Sequence, residues 1–102
     1  MPWADVHVEA LRAGRTVQFR PHGNSMRGRI ESGQLVTVVP LETDPEEGDA
    51  VLCRVAGSQY VHLVKATRGS GDDRRFLIGN NHGGTNGWIG RRAIYGVVRK
   101  VE

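Results

Sequence analysis

Ser25 and Lys65 are the two side chains of this sequence whose settings fit them for covalent chemistry. A serine hydroxyl becomes an effective nucleophile only when a base removes its proton, and a lysine amine becomes such a base when burial disfavours its ammonium form. Ser25 lies in "RPHGNSMRGRI", a glycine-flanked stretch that follows a strand-like run, while Lys65 lies in the apolar "YVHLVKAT". On an extended strand Val61, Leu63, Lys65 and Thr67 share one face, and Tyr60, His62, Val64 and Ala66 the other. If Val61 and Leu63 enter the core, Lys65 points the same way, toward low dielectric. The alternative is an edge-strand lysine whose stem covers apolar surface while its ammonium stays in water. About forty positions of intervening chain leave room for the fold to bring the two groups together.

The elements that must do so read mainly as β. Val6, Val8, Ala10 and Leu11 suit a short helix ending near Gly14 better than an extended segment. "RTVQFRP" alternates as a strand with Val17 and Phe19 on one face, stopped by Pro21 and Gly23. Met26 and Ile30 are spaced for one helical turn, weakened by Gly28 and ended by Gly33. "QLVTVVPL" and "DAVLCRV" are strands separated by the turn "DPEEG", and Gly57 with Ser58 connects the second into "QYVHLVKAT" as a hairpin. "RGSGDDRR" is a polar turn and "FLIGN" a short strand, "NHGGTNG" reads as an irregular connection, and Trp88 and Ile89 return the chain to the core. "RAIYGVVRKV" closes the fold as a strand broken or curved at Gly96.

Composition bounds what else the chain can be. Its 102 residues, 38% hydrophobic and 25% charged with 14 glycines, fit one loop-rich globular domain over residues 1–102. The net charge of +3 is slight, and the pairs Arg27/Arg29, Arg74/Arg75 and Arg91/Arg92 come without aromatic interleaving, so a solvated basic surface is expected and direct nucleic-acid binding is not. The single Cys53 rules out an internal disulfide or a multi-thiolate metal site and reads as a small core residue. His7, His22, His62 and His82 have no compact metal-ligand spacing and read as surface or hydrogen-bonded structural residues. His22 lies near Ser25 in sequence, but a histidine triad would also want an ordered carboxylate. "GSGDD" and "NHGGTNG" lack the Lys-Ser/Thr pair of a phosphate-binding loop. The first residues do not read as a signal peptide, and no run approaches the roughly 20 apolar residues of a membrane span, so a cytoplasmic location is expected.

Taken in order, "GNSMRGRIESGQLVTVVP", "EEGDAVLCRV", "VHLVKAT" and "FLIGNN" followed by "RRAIYGVV" resemble the blocks of the LexA and signal-peptidase superfamily of serine-lysine peptidases, over roughly residues 15–99. The resemblance implies a mainly β fold of twisted antiparallel sheets or a partly open barrel, preceded by a short N-terminal segment over residues 1–14. It also implies a catalytic pair, Ser25 as nucleophile and Lys65 as general base, acting on an extended polypeptide and needing no cofactor or metal. The Ser25 N–H, helped by the neighbourhood of Asn24, would hold the oxyanion. Met26 would anchor the turn and line the cleft, Gly23 would allow close backbone approach, and Asp49 would shape a turn.

Departures from the family pattern accompany the likeness. "SMRGRI" lacks the proline often found after the serine-methionine pair, Ala66 stands where an arginine often follows the lysine, and Gly23 offers no hydroxyl to an oxyanion hole. Neither a preceding DNA-binding domain nor a membrane anchor is expected within these 102 residues. Ala13-Gly14 is a candidate self-cleavage bond, with little slack to reach the cleft. The function expected is serine endopeptidase, in maturation or processing; the alternative is an inactive peptide- or protein-binding domain that keeps the same cleft.

Overall fold

The computed structural model describes residues 3–102. Helix α1 spans Asp5–Arg12, with Asp5 in its first turn and Arg12 in its last, a charge order that complements the helix dipole. Val8 and Leu11, three apart, face inward beside Ala4, and that helical spacing decides between the two conformations the local pattern allows. The helix stops at Ala13, and Gly14 follows in the left-handed region at φ +82°.

Seven strands follow: β1 Val17–Phe19, β2 Val36–Pro40, β3 Ala50–Val55, β4 Ser58–Arg68, β5 Arg75–Gly79, β6 Thr85–Gly90 and β7 Ile94–Val101. They form one antiparallel sheet in the order β1-β2-β7-β3-β4-β5-β6, so the mainly β reading of the sequence holds, with one short N-terminal helix. Among the described residues no helix is long and apolar enough to cross a membrane.

β3 explains how one sheet carries two cores. Ala50 and Leu52 join a cluster with α1, Met26, Ile30, β2, Val61 and Leu63; Val51, Cys53 and Val55 join a second with Val64, Phe76, Ile78, Ile89 and Ile94. A strand covered on both faces needs apolar residues in succession, which is what "AVLCRV" supplies apart from the exposed Arg54. Cys53 is fully buried there, and burial pushes its thiol up to about 12.

The structure corrects four local expectations. The β3–β4 hairpin turns on Ala56 and Gly57, not Gly57 and Ser58, because Val55 pairs with Ser58 and both turn residues have positive φ, +50° and +87°. Thr85–Gly87, expected in a connection, belongs to β6. Trp88 faces outward with the Arg68 guanidinium 4.3 Å from its ring, while Ile89 alone turns into the core. Met26 and Ile30 are both buried and linked by an Ile30 N–H bond to the Met26 carbonyl at 2.8 Å, within a run of turns rather than a helix.

Besides a register shift between Thr37 and Val38 against β7, three β-bulges shape what the sheet presents. Leu52 pairs with Gly96 but Cys53 with Ile94, leaving Tyr95 as an extra residue where the sequence suggested a bend. In β4, Val64 pairs with Ile78 and Ala66 with Leu77, so Lys65 is the extra residue. In β6, Gly87 pairs with Ile78 and Thr85 with Gly79, which makes Asn86 the extra residue there. A bulge breaks the alternation of faces and aims its side chain anew.

Candidate active site

Ser25 is exposed, in a turn entered through Gly23 at φ +120° and left through Gly28 at φ +97°. Two buried side chains, Met26 and Ile30, pin that turn to the core, and Gly23 donates its N–H to Ser32 Oγ at 3.1 Å. Gly23 is required for its backbone conformation rather than for close approach, since a Cβ built there would meet nothing within 4 Å. The Asn24 carbonyl accepts from the Arg27 N–H at 3.1 Å and from His82 Nε2 at 2.8 Å. Among the described residues the N–H groups of Ser25 and Met26 donate to no backbone carbonyl.

The Ser25 hydroxyl meets His62. His62 Nε2 lies 3.1 Å from Ser25 Oγ, and His62 Nδ1 lies 2.7 Å from Asn86 Oδ1. The amide oxygen accepts only, so Nδ1 carries the ring proton of the neutral imidazole and Nε2 is left to accept from the serine. His62 is 6% exposed and stacks on Tyr60 at 4.6 Å. Burial pushes its pKa below the ordinary 6.5, and the hydrogen bond to Asn86 offsets part of that effect. The ring is thus held neutral near pH 7, the form a base must have.

Lys65 has a different partner. It is half-buried, and its Nζ donates to the Asn80 carbonyl at 2.9 Å; among the described residues the side-chain partner of the Ser25 hydroxyl is His62. The bulge is the physical reason, because it takes Lys65 out of the alternation that carries Val61 and Leu63 into the first core. Asp49 shapes a turn, its Oδ2 accepting the Glu46 N–H at 2.8 Å.

Sequence reasoning took His62 for a surface or hydrogen-bonded structural residue without pairing it with Ser25, and did not single out Asn86. The signal for His62 was present as the one basic residue inside the apolar "YVHLV". Asn86 gave none, because "TNG" reads as a turn and only the bulge opposite β5 aims it at His62.

A groove of about 390 Å³ runs beside the pair, with Met26, Ile30 and Val61 as apolar lining and Tyr60 and Trp3 along it. Among the described residues no three His, Cys, Asp or Glu side chains converge as a metal site. Arg74 and Arg91 approach Asp44 at 3.9 and 3.1 Å, so two of the arginine pairs each commit a member to the same carboxylate. Comparison with protein-family models, with curated proteins and with solved structures finds no match to this chain.

Proposed function

We propose that this domain is a serine endopeptidase that cuts an extended polypeptide, with Ser25 as nucleophile and His62, rather than Lys65, as general base. The observation that carries the reading is the relay Ser25 Oγ, His62 Nε2, His62 Nδ1, Asn86 Oδ1, at 3.1 and 2.7 Å, on the rim of a peptide-sized groove. Ser25 Oγ would attack the carbonyl as its proton passes to His62 Nε2. The tetrahedral oxyanion would take hydrogen bonds from the Ser25 and Met26 N–H groups. Collapse would break the C–N bond as the imidazolium returns the proton to the leaving amine, and water activated by the same ring would release the acyl group. Asn86 would set the tautomer and the ring plane without lending a negative charge to the imidazolium. Processing or maturation of a polypeptide in the cytoplasm is the role we assign to it.

The test is labelling with a fluorophosphonate and turnover of a peptide ester. Wild-type protein is expected to label at Ser25, Ser25→Ala to lose labelling, and His62→Gln to lose on the order of 10³-fold or more in kcat. Turnover that survives Ser25→Ala sinks the reading. A protein that binds peptides along the groove and cuts none is the inactive binding domain instead.

A further inference from the structure

The loop between β5 and β6 grips the Ser25 turn at three successive points. His82 Nε2 donates to the Asn24 carbonyl at 2.8 Å, the Asn81 N–H donates to the Ser25 carbonyl at 2.9 Å, and Asn81 Nδ2 donates to the Arg27 carbonyl at 2.9 Å. The loop is itself braced. Asn80 Oδ1 accepts the N–H groups of His82 and Gly84 at 2.8 and 2.9 Å, and the Asn80 carbonyl takes the Lys65 amine at 2.9 Å. Glycines leave space on both sides: a Cβ at Gly28 would lie 3.0 Å from Asn81 Nδ2, and one at Gly79 would fall on the Gly84 carbonyl and 3.0 Å from Lys65 Cγ.

Peptide geometry gives this grip a consequence for catalysis. In a trans peptide unit the C=O and the following N–H point in opposite directions. The Asn24 carbonyl shares its plane with the Ser25 N–H, and the Ser25 carbonyl shares its plane with the Met26 N–H. Tying both carbonyls to the loop turns both N–H groups away from it, as free donors. We propose that Asn81 and His82 form a clasp that orients the two oxyanion-binding peptide planes, and that Lys65 is a positioning residue which anchors the clasp through Asn80. The inference rests on the peptidase reading and assigns a role to a loop and a lysine that the Ser25–His62–Asn86 relay does not use.

The test compares His82→Ala with His82→Gln, which keeps a side-chain N–H donor, and Lys65→Met with Lys65→Arg. Hydrogen exchange is read at the Arg27, Arg29 and Ile30 amides, each bonded inside the turn, with β2 and β7 amides as the control for folding. Peptide-ester kinetics supply kcat, KM and the acid limb of the pH profile. His82→Ala and Lys65→Met are expected to speed exchange in the turn alone and to lower kcat roughly 10- to 100-fold, with KM changed less than about twofold and the acid limb in place. The Gln and Arg variants are expected to recover most of both. Unchanged exchange in the turn overturns the clasp whatever the kinetics show. An acid limb that vanishes in Lys65→Met makes Lys65 the base and overturns the positioning role. A turn that loosens in a protein whose wild type turns over no ester removes the peptidase reading and the catalytic part of this proposal together.

Discussion

His62 is the residue on which the pH behaviour turns. Its folded pKa is lowered by burial, so the acid limb of kcat/KM is expected to have its midpoint below 6.5. Asn86→Asp would place a carboxylate on Nδ1 and favour the imidazolium, moving that midpoint upward by about one unit or more; a midpoint that stays put would show that Asn86 does not touch the ring in solution. The same residue couples pH to stability. Below 6.5 the unfolded chain takes up a proton that the folded ring resists, so the unfolded state binds more protons and stability falls as the pH drops from 6.5 through the folded pKa, then levels off. Thermal melts between pH 7 and pH 5 should show a larger loss for wild type than for His62→Gln, the other histidines being common to both. Equal losses would contradict the burial of a neutral ring. Much of this scale was legible in sequence: Ser25, Gly23, Asn24 and Met26 lie together in the turn, and Met26 is buried beneath it. The side chain that hydrogen-bonds Ser25 was not, because β4 places two basic side chains three residues apart and the alternation of an ideal strand points to Lys65, whereas His62 makes the contact.

At the scale of elements, bulges and turns do what propensity alone does not express. Lys65 and Asn86 are each the unpaired residue of a bulge, and shifting either pairing by one residue would exchange the faces they serve. The β3–β4 hairpin holds Ala56 at φ +50°, a conformation that costs an L-residue with a Cβ about 1–2 kcal/mol and that asparagine tolerates better. Ala56→Asn is accordingly expected to stabilise the protein by about 0.5–1 kcal/mol, read as a higher denaturation midpoint at unchanged slope; no gain would mean that the turn relaxes out of this geometry. Gly96 is held by contact rather than by φ. A Cβ there would lie 2.6 Å from the Val39 carbonyl oxygen and 2.8 Å from Val38 Cγ1, so Gly96→Ala must push β7 off β2. A loss of about 1–3 kcal/mol is expected. The sequence signalled an irregularity at Gly96 but not why no side chain fits there, which is the close approach of a strand more than fifty residues away.

For the whole molecule, the two cores share β3, so damage to either should be felt by both. Leu52→Ala on one side and Phe76→Ala on the other should each cost roughly 2–5 kcal/mol, a large part of the 5–15 kcal/mol typical of a domain. Each should lower a single transition seen alike by far-ultraviolet circular dichroism and by tryptophan fluorescence, and two separated transitions in Phe76→Ala would show that the cores melt independently. The amino-acid sequence by itself determined the mainly β class, the short helix, the strand "DAVLCRV" and the serine-bearing turn. Those follow from periodicity, glycine placement and apolar runs, which act over a few residues. Which side chain meets the serine hydroxyl was decided only in the tertiary structure. The turn leaving edge strand β1 must fold back against β4, while β6 at the opposite edge delivers Asn86 through a bulge. Side-chain aim at such a junction depends on the register of several strand pairings at once, and no local window of sequence contains that information.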